Sequence, residues 1–354
     1  YNTFLGARSG DATTSGDYTT AVGADAYGAV GTGSGNTAIG NRALYINTSG
    51  AENVAVGRRA MDAATTGDAN VAIGYDALGA NTTASDNTAV GHNALLANTT
   101  GALNTAVGKS ALEANTTADS NNAFGRRALF VNTTGAQNCA FGYLALYQNT
   151  TASYNTSVGN SSMQNNTTGA ENVAVGFATL DANTTAANNT AVGNEAMGTN
   201  TTGTQNAAFG VAALILNTTG SYNTALGPYA LKANTTASNN VAVGWEALVA
   251  NTTGASNIAV GRRALNLHTT GTENVAVGTD AMYATTTSSR NTALGHAALD
   301  AQTDGSGYNT AVGNNALTAN TSGTTNTAVG ANAGDALTTG SNNTSLGYEA
   351  DSTA

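Results

Sequence analysis

Apolar and polar residues follow one short cycle along almost the whole chain. An Asn is followed by Thr or Val, then Ala, then Val, Ile, Leu or Phe, and then Gly; an Ala-Leu pair and an Asn-Thr-Thr segment complete the cycle. The cycle repeats every 17 residues, except for one step of 18 residues between Asn291 and Asn309. That step indicates a one-residue insertion near Asp304 to Tyr308. With a degenerate start at Thr19 and a truncated last unit, the chain holds 21 units.

We number the positions of the unit 1 to 17, with the consensus N-T-A-V-G-x-x-A-L-x-A-N-T-T-G-x-x. Position 5 is Gly in all 21 units, and position 1 is Asn in 20 of them. Position 9 is Leu or Met in 17 consecutive units. If the units stack, each of these positions forms a column, and the columns are the candidate structural ladders. Representative members are Gly57, Gly74, Gly91 and Gly108; Asn53, Asn70, Asn87 and Asn104; Val90 and Val107; and Leu95 and Leu112.

The unit length selects the architecture. Helical repeats need roughly 33 to 47 residues and a leucine-rich repeat about 20 to 29, so 17 residues suit one coil of a β-solenoid. Positions 1 to 5 predict a short strand closed by Gly, positions 7 to 11 predict a second one, and Asn-Thr-Thr-Gly predicts a turn. The invariant Gly indicates a backbone site with positive φ or with no room for a Cβ.

The sequence therefore predicts an all-β fold, a parallel β-solenoid (β-roll) of about 21 coils with 17 residues per coil. At a strand spacing of ~4.8 Å, such a stack is about 100 Å long. Residues 1–354 are expected to form a single repeat solenoid, with diverged terminal coils at 1–35 and 331–354. Because the chain begins and ends inside a unit, we interpret it as a segment of a longer fibre or as a rod that stacks end to end into a filament.

The apolar residues of each unit predict self-association. Neighbouring side chains of a strand point to opposite faces, so Ala at position 3 and Val at position 4 cannot both face one interior. The same reasoning separates Ala at position 8 from Leu at position 9, and predicts one face lined by Ala and another by Val and Leu. A homo-oligomer would bury the second face. The alternative is a wider single-chain roll with a bend between positions 8 and 9.

Composition and charge exclude several classes of protein. Apolar residues make up 41% of the chain, which argues against disorder, and a single Pro excludes collagen. One Cys cannot build a disulfide framework, and no apolar run reaches the ~20 residues of a membrane helix. A formal charge of −10 argues against nucleic acid as a partner. We expect no membrane insertion of this segment.

The repeat resembles those of known fibrous proteins. The segment Asn87-Thr-Ala-Val-Gly-His-Asn-Ala-Leu-Leu-Ala-Asn-Thr-Thr-Gly101 is similar to the shafts of bacteriophage tail fibres and of related bacterial surface proteins. Its N-x-A-V-G-x-x-A core also resembles the head repeats of trimeric autotransporter adhesins, which are left-handed parallel β-rolls wound as homotrimers, although the autotransporter unit is shorter. The resemblance implies a trimeric, extracellular and fibrous protein.

The polar columns allow more than one interpretation. We predict that the Asn columns at positions 1 and 12 stack as hydrogen-bonded amide ladders. Asn81-Thr-Thr and its repeats are also glycosylation sequons, but glycans on coils only ~4.8 Å apart would collide. Thr at positions 13 and 14 forms arrays of a kind that can match ice, although two adjacent Thr in a turn do not face one flat surface.

Charged and aromatic residues provide few candidates for chemistry. The pairs Arg58-Arg59, Arg126-Arg127 and Arg262-Arg263 are candidates for binding an anionic glycan. Opposite charges also follow one another at position 7, as in Arg59 and Asp76 or in Glu246, Arg263 and Asp280. This alternative predicts simple stacking of opposite charges from coil to coil. Trp245 and the Tyr residues at position 6, among them Tyr75, Tyr143 and Tyr348, are candidates for sugar stacking. His92, His268 and His296 lack fixed partners, and Cys139 is interpreted as a packing residue. We expect no catalytic residues, no metal and no cofactor.

These patterns predict a structural extracellular fibre shaft, on a cell surface or a virion, that spaces an anchor from a recognition tip. Its partner would be the chain itself, as a homotrimer and as an end-to-end filament. The alternative is an adhesin or self-assembling filament whose lateral Asn/Thr surface binds cell-surface glycans or ice.

Overall fold

The computed structural model describes residues 1–29, 31–303 and 307–351. The described residues form 21 strands of three residues each and no helix. They divide into two compact units, Tyr1–Asn172 and Val173–Ala354. Within each unit every strand pairs in parallel with the next one along the chain, which confirms the predicted all-β parallel solenoid with about 17 residues per coil.

The first unit contains ten coils, each with its strand at positions 2 to 4. Pairing is in register, for example Thr88 with Thr105 and Val90 with Val107. The strands are β1 Thr3–Leu5, β2 Thr20–Val22, β3 Thr37–Ile39, β4 Val54–Val56, β5 Val71–Ile73, β6 Thr88–Val90, β7 Thr105–Val107, β8 Asn122–Phe124, β9 Cys139–Phe141 and β10 Thr156–Val158.

The second unit repeats the arrangement in eleven coils. Thr292 pairs with Thr310, so the 18-residue step keeps the register of the columns; residues 304–306, where the sequence places most of the insertion, lie outside the described residues. The strands are β11 Val173–Val175, β12 Thr190–Val192, β13 Ala207–Phe209, β14 Thr224–Leu226, β15 Val241–Val243, β16 Ile258–Val260, β17 Val275–Val277, β18 Thr292–Leu294, β19 Thr310–Val312, β20 Thr327–Val329 and β21 Thr344–Leu346.

The second strand predicted at positions 7 to 11 does not form in any described coil. These residues make consecutive turns instead, because positions 7 and 9 are left-handed: φ is 58° at Ser110 and 53° at Leu112. Left-handed conformations cost a bulky residue roughly 1–2 kcal/mol. The backbone nevertheless remains bonded to the next coil, since Leu112 N–H donates to the Ala128 carbonyl at 2.9 Å. Burial of the side chain and this hydrogen bond offset the strain.

The left-handed residues also decide which side chains form the core. Ala106 at position 3, Ala111 at position 8 and Leu112 at position 9 are all fully buried, whereas Val107 at position 4 is half-buried on the outer face of the sheet. The prediction that Leu shares the Val face is therefore wrong. The bend around positions 8 and 9 places Leu with Ala in one interior, as in the alternative of a wider roll. The alternation between positions 3 and 4 is confirmed.

The diverged first coils fill their interior with other residues. Phe4 replaces Ala at position 3 and packs against Gly10, which replaces Leu at position 9; a Cβ added at Gly10 would lie 2.5 Å from the Phe4 ring. In the next coil Tyr27 occupies position 9, fully buried, and its hydroxyl donates to the Gly33 carbonyl at 2.9 Å. A large and a small residue are thus exchanged in the first coil, where Phe4 stays partly exposed, and one large side chain fills the interior of the second.

Candidate functional site

The glycine column at position 5 is where neighbouring coils approach most closely. Gly91 has φ of +139°, and a Cβ added there would lie 2.5 Å from the carbonyl oxygen of Gly108. Gly57, Gly74 and Gly108 have φ of +136°, +141° and +132°, with added Cβ atoms 2.4 to 2.6 Å from the next glycine's oxygen. Both reasons anticipated for an invariant Gly therefore hold at the same position.

The Asn column at position 1 is a buried ladder. The backbone N–H of Asn70 donates to Asn53 Oδ1 at 2.9 Å, that of Asn87 to Asn70 Oδ1 at 3.0 Å, and that of Asn104 to Asn87 Oδ1 at 3.0 Å. All four residues are fully buried. Each Oδ1 thus accepts the backbone N–H of the Asn one coil further on, and the column forms a hydrogen-bonded ladder along the coils.

A second amide ladder runs through position 12. In the first unit, Asn115 Nδ2 donates to Asn98 Oδ1 at 2.9 Å and to its own coil's Ala118 carbonyl at 3.0 Å. The same carbonyl accepts a hydrogen bond from Asn104 Nδ2 at 2.9 Å. The two Asn columns therefore converge on the backbone at position 15, and together they hold the coil closed across its interior.

This geometry rules out glycosylation of the folded coils at the position 12 sequons. Asn81, Asn98 and Asn115 are fully buried, and the Nδ2 atom that would carry a glycan donates inside the core, for instance Asn81 to the Ala84 carbonyl at 3.1 Å. A sugar could be attached only by breaking the ladder. At these residues the side-chain amides are engaged in the ladder and are not free to carry a glycan.

The two Thr columns lie in different environments, as their adjacency predicts. Thr99 at position 13 is half-buried, and its Oγ1 donates to the Thr116 carbonyl of the next coil at 3.0 Å. Thr100 at position 14 is exposed. Only one of the two hydroxyl columns thus faces solvent freely, and the double column is not a flat surface.

The apolar columns complete the structural set. Leu95 and Leu112 are fully buried in the interior of the coils. Val90 and Val107 are half-buried on the outer face, and larger residues at the same position are more exposed, such as Ile73 at 41% and Leu226 at 47%. A continuous apolar column therefore faces outward in each unit.

Several charged residues stack as predicted. Arg59 lies 3.4 Å from Asp76, and Arg263 donates two hydrogen bonds to Asp280 at 2.8 and 2.9 Å, which lowers the pKa of the Asp280 carboxyl. Glu246 and Arg263, in adjacent coils, make no ion pair among the described residues. An exposed ion pair at position 17 joins Arg290 to Glu273 at 2.7 Å. It was not predicted from the sequence, where opposite charges were noted at position 7 alone.

The histidines and the cysteine occupy unrelated places. His92 stacks on Tyr75 at the surface. His268 replaces Asn in the position 12 column, fully buried, where burial lowers its pKa and its Nε2 bonds the Gly271 carbonyl at 2.9 Å. Cys139 is half-buried on β9, and burial raises the pKa of its thiol. Within the described ranges, no group of three or more His, Cys, Asp or Glu residues is placed to hold a metal ion.

One more set of contacts, at position 16, was not predicted from the sequence. The Ala51 N–H donates to Asp68 Oδ1 at 2.7 Å, and the Asp68 N–H donates to Ser85 Oγ at 3.0 Å. These short side chains bond the backbone of the preceding coil where strand pairing is absent. The alternation of Ala, Asp and Ser at this position was the available signal, since Asp and Ser commonly bond nearby backbone in turns.

A search against protein-family models and curated proteins finds no match for this sequence. The coil geometry defines the class: the chain is a tandem-repeat parallel β-solenoid protein whose coils are joined by backbone, Asn and Gly columns. No helix in the described part of the chain is long and apolar enough to cross a membrane.

Proposed function

We propose that the chain is the shaft of an extracellular fibre, on a virion tail or a cell surface, which holds an anchor and a recognition tip apart. The observation that carries the proposal is the uniformity of the coils. From Asn87 to Asn104, as elsewhere, each step repeats the same strand pairing, amide bonds and buried Ala-Leu core. Stability of such a stack grows with the number of coils, because each coil contacts only its neighbours.

The proposal does not include an enzymatic activity. Polysaccharide cleavage by tail spikes needs paired carboxylates in a groove, and the 17-residue period leaves no insertion from which to build one. A shaft needs only repeated, unreactive contacts, and uncharged Asn and Thr side chains supply most of them.

We also propose that the shaft is a homotrimer in which the position 4 columns face a shared axis. The outward apolar column supports this, because Ile73 and Leu226 are 41% and 47% exposed and the column recurs in every coil. Solvent-exposed rows of this kind commonly mark protein interfaces. The resemblance to trimeric adhesin repeats points to the same number of chains.

Light scattering of the full chain tests the trimer, with an expected mass of three times 34.9 kDa. The double variant Val90→Lys and Val107→Lys places two charges on the proposed axis and should dissociate the assembly. The matched control, Thr100→Lys and Thr117→Lys, adds the same charge at exposed position 14 and should leave the mass unchanged. A wild-type mass of 34.9 kDa would contradict the trimer, and equal masses for both variants would contradict position 4 as its axis.

Deletion of residues 87–120, two whole units, tests the spacer function. The remaining coils should rejoin in register and shorten the particle by about 10 Å, at ~4.8 Å per coil. Electron microscopy of the two proteins measures the difference. An unchanged length, or loss of folding despite the preserved period, would argue against a shaft built by addition of equal coils.

A further inference from the structure

Position 6 carries basic and aromatic residues in six consecutive coils of the first unit. We call this set the basic ridge; it consists of Arg58, Tyr75, His92, Lys109, Arg126 and Tyr143. All six residues are exposed. Because the adjoining strands pair in register, successive members of the ridge follow one another at about 4.8 Å.

The ridge is already organised by contacts between its own side chains. The Tyr75 and His92 rings stack with centroids 5.1 Å apart, and the Arg58 guanidinium lies 5.5 Å from the Tyr75 ring centroid. Arg126 lies 5.6 Å from the centroid of Tyr143 in the same manner. Ring faces are therefore covered by neighbours along the column, while hydroxyl, imidazole and cationic groups remain at the surface. Ligand binding would therefore cost little conformational entropy for ordering these donors.

The ridge also holds positive charge without a counter-charge. Arg59, beside it at position 7, is paired with Asp62 at 2.9 Å and Asp76 at 3.4 Å. Arg58, Lys109 and Arg126 make no ion pair with any described residue. In a chain of net charge −10, three unpaired cations in one column form a local exception.

We propose that the basic ridge binds a linear polysaccharide that carries carboxylate groups and lies along the stack of coils. Arg and Lys form charge-assisted hydrogen bonds with carboxylates. The hydroxyl groups of Tyr75 and Tyr143 can exchange hydrogen bonds with those of sugar rings. Three coils, about 14 Å, separate Arg58 from Lys109. One coil, about 5 Å, separates Lys109 from Arg126, and a polymer with a carboxylate on every sugar ring offers a partner to each of these cations.

Single-stranded nucleic acid is the competing polyanion, and the ridge fits it less well. Such strands bind through bases stacked on open aromatic faces, whereas Arg58 and His92 cover the faces of Tyr75.

This ligand surface goes beyond the shaft function and does not depend on it. The second unit offers an internal contrast, because its arginine pair is neutralised: Arg262 lies 3.5 Å and Arg263 2.8 Å from Asp280. Arg290 is likewise paired, with Glu273 at 2.7 Å. Removal of these cations provides a control with equal loss of charge.

Isothermal titration of the full chain with polygalacturonate oligosaccharides tests the proposal. The double variant Lys109→Gln and Arg126→Gln should weaken binding about tenfold, since two exposed charge contacts are lost. The control variant Arg263→Gln and Arg290→Gln carries the same net charge and should bind within about twofold of the wild type. Neutral dextran should not bind.

Four results would overturn the proposal: no saturable binding of polygalacturonate by the wild type, equal losses in the two variants, equal binding of dextran, or tighter binding of poly(dT) than of polygalacturonate. The last result would assign the ridge to nucleic acid. Light scattering on the same samples reports the mass, so failure of the trimer is distinguished from failure of the ridge.

Discussion

Two aliphatic columns of the same coils lie in opposite environments. Leu95 and Leu112, at position 9, are fully buried, whereas Val90 and Val107, at position 4, are half-buried on the outer face. Hydrophobicity does not explain the difference, because position 4 is apolar in every unit and position 9 is Leu or Met in 17 consecutive units. Strand alternation turns position 4 away from the interior, and left-handed residues turn position 9 toward it. Backbone geometry therefore selects which apolar column becomes the core and which is available to a partner chain.

The largest expected loss of stability comes from a substitution in the glycine column at position 5. Gly91→Ala places a Cβ 2.5 Å from the Gly108 oxygen at φ of +139°. Strain of roughly 1–3 kcal/mol for the dihedral and a similar cost for overpacking predict a loss of about 4 kcal/mol. Urea unfolding followed by circular dichroism measures it. Thr100→Ala, exposed in the same coil, should change stability by less than about 0.5 kcal/mol; equal effects would contradict the close-contact explanation.

Truncation of one residue from each column measures the contrast directly. Leu112→Ala leaves a cavity in the core and should cost about 3 kcal/mol. Val107→Ala removes a half-buried side chain from the outer face and should cost about 1 kcal/mol in the isolated chain. Hydrogen exchange at the amides of the coil reports both losses. If the Val variant lost as much stability as the Leu variant, position 4 would have to be part of the intrachain core.

Breaking an amide ladder should have a smaller effect than emptying the core. Asn115→Ala removes the donor to Asn98 Oδ1 and one of the two donors to the Ala118 carbonyl. A buried acceptor left without its partner costs about 1–3 kcal/mol, so we expect a loss of about 2 kcal/mol in urea unfolding. Asn160→Ala, at an exposed amide, is the control. No difference between the two would show that the ladder contributes nothing to stability.

The smallest effect is pH-dependent and concerns the place where His268 interrupts the ladder. Burial lowers the pKa of His268 in the folded chain from its ordinary 6.5. The unfolded chain therefore binds the proton first, and stability should fall as the pH drops below about 6.5 and be constant above it. His268→Asn should remove this dependence. It should also stabilise the chain by about 1 kcal/mol by supplying a donor to Asn251 Oδ1, which has no partner among the described residues.

Unfolding midpoints between pH 7.5 and 5.5 compare the wild type with the His268→Asn variant. Other titrating groups are common to both proteins, so the difference in slope isolates His268. Parallel pH profiles would contradict a buried neutral imidazole at this position.

The amino-acid sequence by itself determined the period, a strand within positions 1 to 5, the close contact at Gly91 and its equivalents, and the amide ladders. The physical reason is that these features repeat with single residue types: only Gly tolerates the contact at position 5, and identical Asn residues one coil apart can bond each other. Strand alternation likewise placed Ala at position 3 and Val at position 4 on opposite faces, without deciding which of the two is interior.

Only the tertiary structure decided the direction of the Leu column, the absence of a second strand and the joining of Arg58, Tyr75 and His92 into one ridge. The first two depend on left-handed Ser110 and Leu112, and such residues rarely adopt that conformation. The stacked coil above and below stabilises them through backbone bonds such as Leu112 to Ala128. The 17-residue period places the ridge residues in one column, but only the structure shows that the Tyr75 ring contacts both Arg58 and His92.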